Sequence, residues 1–224
     1  YFIIPGIDIE SSIKARDFSL AYPSKSYWSA GLHPHEADGL EDVKQELLSL
    51  MQDSDLIGET GLDYYRNLSA KENQIKNFEF HINIAEDLNK PLIIHCRDSF
   101  SDVFDILSNR NLNNPIILHS WTGGNKWTKK FVELGVYFSI SGIITYDTAH
   151  DLQAAVTKIP TDKLLLETDV PYLAPQPFKG KRNNPTYIKY TGAKVAELID
   201  LTPNELSKIT ITNTNKVMNR ENNE

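Results

Sequence analysis

Five short apolar segments of the sequence end in residues that can bind a metal ion or move a proton. These residues are His33 and His35 in SAGLHPHEA, Glu59 and Asp63 in IGETGLDYY, His95, Arg97 and Asp98 in LIIHCRD, His119 in IILHSWTGG, and Asp169 in LLLETDVP. Carboxylates together with imidazoles form a mixed oxygen and nitrogen set, which suits a divalent zinc, manganese, iron or magnesium ion. A lone histidine in such a place is more often a hydrogen-bonded structural residue. Because the feature recurs in five segments, the sequence favours a metal site.

A metal site of this composition predicts hydrolytic chemistry. A carboxylate that bridges two ions about 3.5–4 Å apart makes a two-metal hydrolytic centre. A bound ion lowers the pKa of a water molecule to roughly 7 and polarises the bond under attack. We therefore expect hydrolysis that depends on one or two divalent ions.

Apolar segments alternate with amphipathic stretches along the whole chain, and this alternation must position the chemical residues. The strand candidates are FIIPG, YWSAG, DLIGE, LIIHC, IILHS, VYFSISG and LLLETD, and the helix candidates lie near 11–21, 40–52, 69–89, 99–111, 124–134, 148–158, 186–199 and 203–218. Strands that alternate with helices predict a parallel sheet with crossover helices. Two architectures fit, an open doubly wound sheet or an eight-stranded barrel, and both bind ligands beyond the carboxyl ends of the strands.

Composition restricts the class of protein. The 224 residues carry a formal net charge of −7, which argues against a broad basic face that binds nucleic acid. This charge does not exclude a nucleic-acid substrate that is held locally at its phosphates. No apolar run approaches the roughly 20 residues that span a bilayer. The single cysteine, Cys96, excludes an internal disulfide and indicates a reducing compartment. We expect one domain over residues 1–224, located in the cytoplasm, with no obligate protein partner evident.

Several residues outside the metal set have a second reading. Cys96 follows His95 and should point the opposite way, as a packed thiol. His81 and His150 lie in or beside helical stretches, where surface positions are expected. Tyr64 and Tyr65 fit either stacking on a base or sugar, or packing over the barrel mouth.

A basic loop follows the last strand. The segment PFKGKRNNP, residues 177–185, carries Lys181 and Arg182, which would stand beside the proposed metal centre and could contact a phosphate. A solvated loop is the simpler alternative. Arg97 has the stronger case as a phosphate ligand, because it lies two residues beyond His95 on the same strand end.

These motifs together resemble the TatD family of metal-dependent hydrolases. The resemblance runs in order through GLHPHEA, IGETGLDYY, PLIIHCRD, ILHSWTGG, LLLETDVPYLAP and GKRNNP, and it covers essentially the whole chain. It implies a TIM (β/α)8-type barrel, a centre with one or two Mg, Mn or Zn ions, and nuclease activity on DNA, often from a 3′ end. The residues that match metal ligands are Glu59, His95, His119 and Asp169, and His33 matches a substrate-contacting position.

The sequence departs from the family pattern at its start. Members of the family normally open with a strand that carries a His-x-His pair or a close variant, whereas FIIPG resembles their second strand. Seven strand candidates are present where the barrel has eight. We therefore expect a barrel that lacks its first βα unit. Either the chain is a fragment, or the protein starts here and one metal position has lost two ligands.

The leading hypothesis is a metal-dependent deoxyribonuclease with 3′–5′ exonuclease-like activity. Glu59 and Asp169 would hold metal and orient the attacking water, and Asp169 is the best candidate for the general base. Arg97, Lys181 and Arg182 would hold the DNA phosphate. The alternatives are an ester or amide hydrolase that acts on aminoacyl-tRNA, and a degenerate barrel that binds without catalysis.

Overall fold

Strands and helices alternate along the chain, as the sequence predicts. The computed structural model describes residues 2–23, 25–110 and 113–219. The strands are β1 Phe2–Ile4, β2 Ser26–Ala30, β3 Leu56–Asp63, β4 Leu92–Arg97, β5 Ile116–Leu118, β6 Tyr137–Ile140 and β7 Leu164–Leu166. The helices are α1 Ile9–Ala21, α2 Leu40–Asp53, α3 Lys71–Leu88, α4 Phe100–Ser108, α5 Asn125–Glu133, α6 His150–Val156, α7 Ile188–Leu198 and α8 Pro203–Val217.

The chain divides into two compact units, an N-terminal unit of residues 1–117 and a C-terminal unit of residues 118–224. The boundary falls inside β5. The expectation of one domain over residues 1–224 stays a prediction.

The sheet of the N-terminal unit is parallel, with its strands in chain order. β1 pairs with β2, β2 with β3, and β3 with β4. In an open doubly wound sheet the strand order reverses at a switch point, whereas a barrel keeps neighbours in sequence. The sequential order in this unit therefore favours the barrel over the doubly wound alternative.

The central pair of this sheet, β3 and β4, brings two chemical segments together. In the register, Gly61 lies opposite His95 and Asp63 lies opposite Arg97. Gly61 has a φ of 131°, and a Cβ atom there would lie 2.0 Å from the carbonyl oxygen of His95. Only glycine allows this approach, so the ETGLD segment holds its carboxylates close to β4.

The C-terminal unit contains the parallel pair of β6 and β7, in which Ser139 lies opposite Leu165. Trp121 is 1% exposed and makes edge-to-face contacts with Phe131 and Phe138. These aromatic residues pack together in the core of this unit, so Trp121 is a packing residue.

Helix α8 begins where the sequence places its start. The Thr202 side chain accepts a hydrogen bond from the backbone N–H of Glu205, and the Glu205 carboxylate accepts one from the backbone N–H of Thr202. This reciprocal pair satisfies two backbone donors that the first helical turn leaves without partners.

Among the described residues, no helix has the length and apolar character needed to cross a membrane.

Two side chains outside the metal set have clear positions. Cys96 is buried, and burial raises the pKa of its thiol to about 12, so the prediction of a packed thiol is confirmed. The prediction that His81 lies on the surface is wrong, because this residue on α3 is 0% exposed. Its Nε2 accepts a hydrogen bond from the backbone N–H of Leu32 at 3.0 Å, and its Nδ1 lies 2.8 Å from the carbonyl oxygen of Asn77.

The buried imidazole of His81 makes stability depend on pH. Burial lowers its pKa from 6.5 to about 4, so the folded protein binds this proton less readily than the unfolded chain. The contribution is fully present above pH 6.5 and is lost as the pH falls towards 4. In a His81→Gln variant, glutamine keeps an acceptor for the Leu32 N–H but does not titrate.

We therefore expect wild type to lose about 2–3 kcal/mol more free energy of unfolding than His81→Gln when the pH falls from about 7.5 to about 4.5. Denaturant titrations at both pH values measure this difference. Equal losses in the two proteins would contradict a neutral, buried His81.

Candidate metal centre

In the N-terminal unit, the structure brings Glu59 and His95 together, as the sequence predicts. Glu59 lies within β3 and is 6% exposed, and His95 lies on β4 beside it. Oε1 of Glu59 is 3.1 Å from Nδ1 of His95. A carboxylate buried this deeply needs hydrogen-bond donors or a cation nearby to offset its loss of hydration.

His33 joins this pair from the loop after β2. Its Nδ1 accepts a hydrogen bond from the backbone N–H of His35 at 3.2 Å, which turns Nε2 towards Glu59 Oε1 at 3.5 Å. Burial lowers the pKa of His33 to about 3, so its ring is neutral at neutral pH. A neutral imidazole is the form that binds a metal ion. The predicted substrate-contacting role of His33 stays a prediction.

Asp63 lies four residues beyond Glu59 on the same strand face and is 0% exposed. Its Oδ2 lies 3.0 Å from His95 Nε2 and 2.9 Å from His35 Nε2, and its Oδ1 accepts the backbone N–H of Arg66 at 2.8 Å. Burial alone would raise its pKa, but these hydrogen bonds outweigh burial and hold the pKa well below its usual range. Asp63 is therefore an ionised carboxylate whose two oxygens are both engaged.

In the C-terminal unit, the structure brings His119 and Asp169 together with Glu167. His119 follows β5, and the two acids follow β7. His119 Nε2 lies 3.8 Å from Asp169 Oδ1, and its Nδ1 lies 3.0 Å and 3.1 Å from the two oxygens of Glu167. Oε2 of Glu167 also accepts the backbone N–H of Ser120 at 3.1 Å.

The backbone conformation after β7 sets the position of Asp169. Glu167 N–H still donates to the carbonyl oxygen of Ile140, which continues the strand pairing by one residue. Asp169 then has a φ of 57°, in the left-handed region that aspartate and asparagine tolerate better than most residues. The strand thus ends in a turn that places a carboxylate at its carboxyl end.

The basic loop is tied to the segment that carries Asp169. Asn183 is buried, and its side-chain Nδ2 donates to the carbonyl oxygens of Thr168 and Tyr172. Its backbone N–H donates to the carbonyl oxygen of Pro171 at 3.0 Å. The neighbouring Lys181 and Arg182 are exposed, so both are available to a ligand beside this segment.

Arg97 lies at the end of β4, opposite Asp63 in the register. Its guanidinium carbon lies 4.0 Å above the ring of Tyr65, which is 62% exposed. A guanidinium that stacks on an aromatic ring keeps its N–H groups in the plane, where they can donate to a phosphate. Tyr64 behaves differently, because its hydroxyl donates to Asp102 at 2.8 Å and its role is in packing and hydrogen bonding.

The residues fit divalent metal ions. Two groups offer one ligand atom per residue with all atoms within 4.8 Å of one another, His33 with Glu59 and His95, and His119 with Glu167 and Asp169. Both groups combine carboxylate oxygens with imidazole nitrogens, a donor set that zinc and manganese accept. The prediction that Glu59, His95, His119 and Asp169 form a single centre spans both units and stays a prediction.

The strand-end pattern of the sequence includes Asp63 without a specific role, and it does not single out Glu167. The available signal was the alternation of strands, because residues two or four positions apart in a strand share a face. Asp63 follows Glu59 by four residues within β3, whereas Glu167 and Asp169 lie beyond the end of β7, where alternation assigns no common face.

Comparison with known proteins identifies the family. The family model described as TatD related DNase matches residues 1–219. The chain is 34% identical over 221 residues to YabD of Bacillus subtilis, covering 96% of this chain and 86% of YabD. It is 38% identical over 189 residues to YcfH of Escherichia coli K12, covering 83% of this chain and 71% of YcfH. Both relatives are described as uncharacterized metal-dependent hydrolases.

A solved structure shows the same fold. YJJV, a TatD homologue from Escherichia coli k12, matches with a TM-score of 0.90 at 26% identity, covering 98% of this chain and 86% of that chain. This likeness confirms the predicted α/β fold of the TIM-barrel type. Because the family model matches nearly the whole chain and the relatives are similar over most of their length, this chain belongs to the TatD family of metal-dependent hydrolases.

Proposed function

We propose that this hydrolase is a deoxyribonuclease that cleaves DNA phosphodiester bonds, with 3′–5′ exonuclease-like action. The observation that carries the proposal is the attachment of the basic loop, through Asn183, to the segment that holds Asp169. A carboxylate able to bind a metal ion then lies in the same local structure as Lys181 and Arg182. A phosphodiester needs both kinds of group, since it must be activated for attack and its charge must be offset. The description of the matching family as TatD related DNase supports the same substrate.

The residues divide the work as follows. Divalent ions, when bound, supply Lewis-acid polarisation and activation of water. Glu59, His95, His119 and Asp169 would hold the ions. The Asp169 carboxylate accepts a proton from the attacking water as general base. The guanidinium of Arg97, held over Tyr65, would bind a phosphate of the DNA, and the exposed Lys181 and Arg182 would do the same in their own unit.

Replacement of Asp169 by asparagine tests the catalytic role with little effect on the backbone. Asparagine tolerates the left-handed conformation of this position and has a similar shape, but it is not a base. We expect Asp169→Asn to lower the turnover of single-stranded DNA by at least about 100-fold, with an unchanged circular dichroism spectrum and melting temperature. Digestion of a 3′-labelled oligonucleotide measures the rate.

The matched control is Asp200→Asn, since Asp200 is an exposed aspartate with a φ of 55° in the same unit. Its turnover should equal that of wild type. The same preparations are assayed on aminoacyl esters, and wild type that hydrolyses the esters but not DNA would replace the nuclease proposal with the esterase alternative. Unchanged DNA turnover in Asp169→Asn would remove Asp169 from the mechanism.

The basic loop should control binding of DNA more than the chemical step. In a Lys181→Ala/Arg182→Ala variant we expect the KM for single-stranded DNA to rise on the order of tenfold, because two exposed contacts of below about 1 kcal/mol each are lost. The slope of log KM against log salt concentration should fall by about 1.4. Each phosphate contact to a single strand contributes about 0.7 to this slope, and the variant loses two such contacts. Steady-state kinetics at several salt concentrations measure both effects.

A Lys129→Ala/Lys208→Ala variant removes the same charge from two exposed positions on α5 and α8. It should leave the KM and its salt slope within about twofold of wild type, as is usual for surface positions away from a binding site. Equal effects of the two double variants would reduce the role of the loop to net charge.

A further inference from the structure

We propose that Asp63 and Glu167 are positioning carboxylates, which fix the ring orientation and the protonated nitrogen of His95 and His119 so that the other nitrogen of each ring can bind a divalent ion. The inference rests on the metal-dependent character of the family and is independent of the choice of DNA as substrate. Asp63 serves the N-terminal unit and Glu167 the C-terminal unit.

His95 lies between two carboxylates, one on each side of its ring. Nδ1 faces Glu59 Oε1 at 3.1 Å, and Nε2 faces Asp63 Oδ2 at 3.0 Å. Asp63 already receives the backbone N–H of Arg66 and the Nε2 of His35, at 2.8 Å and 2.9 Å. The other two contacts hold Asp63 in place, and its carboxylate oxygens can only accept hydrogen bonds, so the His95 Nε2 that faces Oδ2 carries the proton. Nδ1 then carries the lone pair on the side of Glu59.

His119 has the same arrangement with the ring nitrogens exchanged. Nδ1 faces Glu167 at 3.0–3.1 Å, and Nε2 faces Asp169 Oδ1 at 3.8 Å. Glu167 also accepts a hydrogen bond from the backbone N–H of Ser120, the residue next to His119. The carboxylate therefore contacts both the His119 ring and the peptide group that joins His119 to Ser120. A lone pair on Nε2 then points to the side of Asp169.

Carboxylates that receive the second N–H of a metal-binding histidine fix its tautomer and raise its basicity. Removal of such a partner typically weakens metal binding by about 10–100-fold, whereas removal of a ligand has a larger effect. The proposal therefore predicts a smaller loss of metal affinity on replacement of the positioning residues Asp63 and Glu167 than on replacement of the ligands Glu59 and Asp169. The position of Glu167 beside His119 and Asp169 would also allow it to bind a metal ion directly. The proposal instead makes it a positioning residue for His119.

An Asp63→Asn substitution changes the donors and acceptors around His95 without changing side-chain shape. Asparagine has one acceptor oxygen, whereas Asp63 receives three N–H groups on two oxygens. The amide NH₂ must face either the Arg66 N–H or the nitrogens of His35 and His95. In the first orientation two N–H groups repel each other, and in the second the imidazole must accept and its tautomer reverses. In Glu167→Gln, an amide oxygen at the Oε2 position keeps the contacts to Ser120 N–H and His119 Nδ1. The NH₂ then takes the Oε1 position, 3.0 Å from His119 Nδ1, and opposes a proton on that nitrogen.

The first measurement is made on wild type after removal of metal with a chelator. Long-range ¹H–¹⁵N spectra of the imidazole rings at about pH 8 report which nitrogen carries the proton. We expect the Nε2–H tautomer for His95 and the Nδ1–H tautomer for His119, and mixed or reversed tautomers in Asp63→Asn and Glu167→Gln, respectively. Reversed tautomers in wild type would overturn the proposal, even if the Asp63 variant does not fold.

The second measurement is the affinity of each protein for Mn²⁺ and Zn²⁺ alone, in competition with a chelator of known affinity. Asp63→Asn and Glu167→Gln should bind about 10–100-fold more weakly than wild type. Glu59→Gln and Asp169→Asn should lose at least about 1000-fold at their site. A Glu167→Gln loss as large as that of Asp169→Asn would make Glu167 a ligand, and no loss in either variant would make the contacts purely structural.

Matched controls replace a carboxylate in each unit that contacts no histidine of the site. Asp102 pairs with Lys71 at 2.8 Å and receives the Tyr64 hydroxyl, and Glu197 pairs with Lys194 at 2.8 Å. Asp102→Asn and Glu197→Gln should keep metal affinity within about twofold of wild type. Neither experiment includes DNA, so failure of the nuclease proposal would leave these outcomes unchanged.

Discussion

The buried carboxylates of β3 impose the main physical constraint on this protein. Glu59 and Asp63 are 6% and 0% exposed, and removal of a carboxylate from water costs several kcal/mol unless donors or a cation replace the lost hydration. The structure meets this requirement with imidazoles and backbone N–H groups drawn from neighbouring segments. The close approach of β3 to β4 at Gly61 follows from the same need, since it brings His95 within reach of both carboxylates.

Much of the fold could be predicted from the sequence, because local patterns determine it. Apolar runs between amphipathic stretches predicted every strand and α-helix of the described residues to within about four positions, and the Thr202 cap predicted the start of α8. The pairing of Glu59 with His95 could also be predicted, because consecutive parallel strands place their carboxyl ends side by side. These inferences need only the order and period of the residues along the chain.

The roles that the sequence did not reveal depend on contacts between distant segments. His81 is buried because the backbone N–H of Leu32, 49 residues away, requires an acceptor at that place, and no local pattern announces such a requirement. Asn183 binds the carbonyl oxygens of Thr168 and Tyr172 across a loop whose path the sequence does not specify. Glu167 contacts His119 and the backbone N–H of Ser120, which lie 47 or 48 residues before it in the chain.

The position of Arg97 illustrates how the pair of β3 and β4 keeps a cation apart from a buried carboxylate. Arg97 lies opposite Asp63 in the register, where an ion pair between the two would have been the simplest arrangement. Asp63 instead receives two imidazoles and a backbone N–H, and the Arg97 guanidinium lies over Tyr65. Because the histidines engage the carboxylate, the guanidinium keeps donors for an anion. The same hydrogen bonds that hold His95 thus leave Arg97, two residues along the strand, with donors for an anion such as the proposed phosphate.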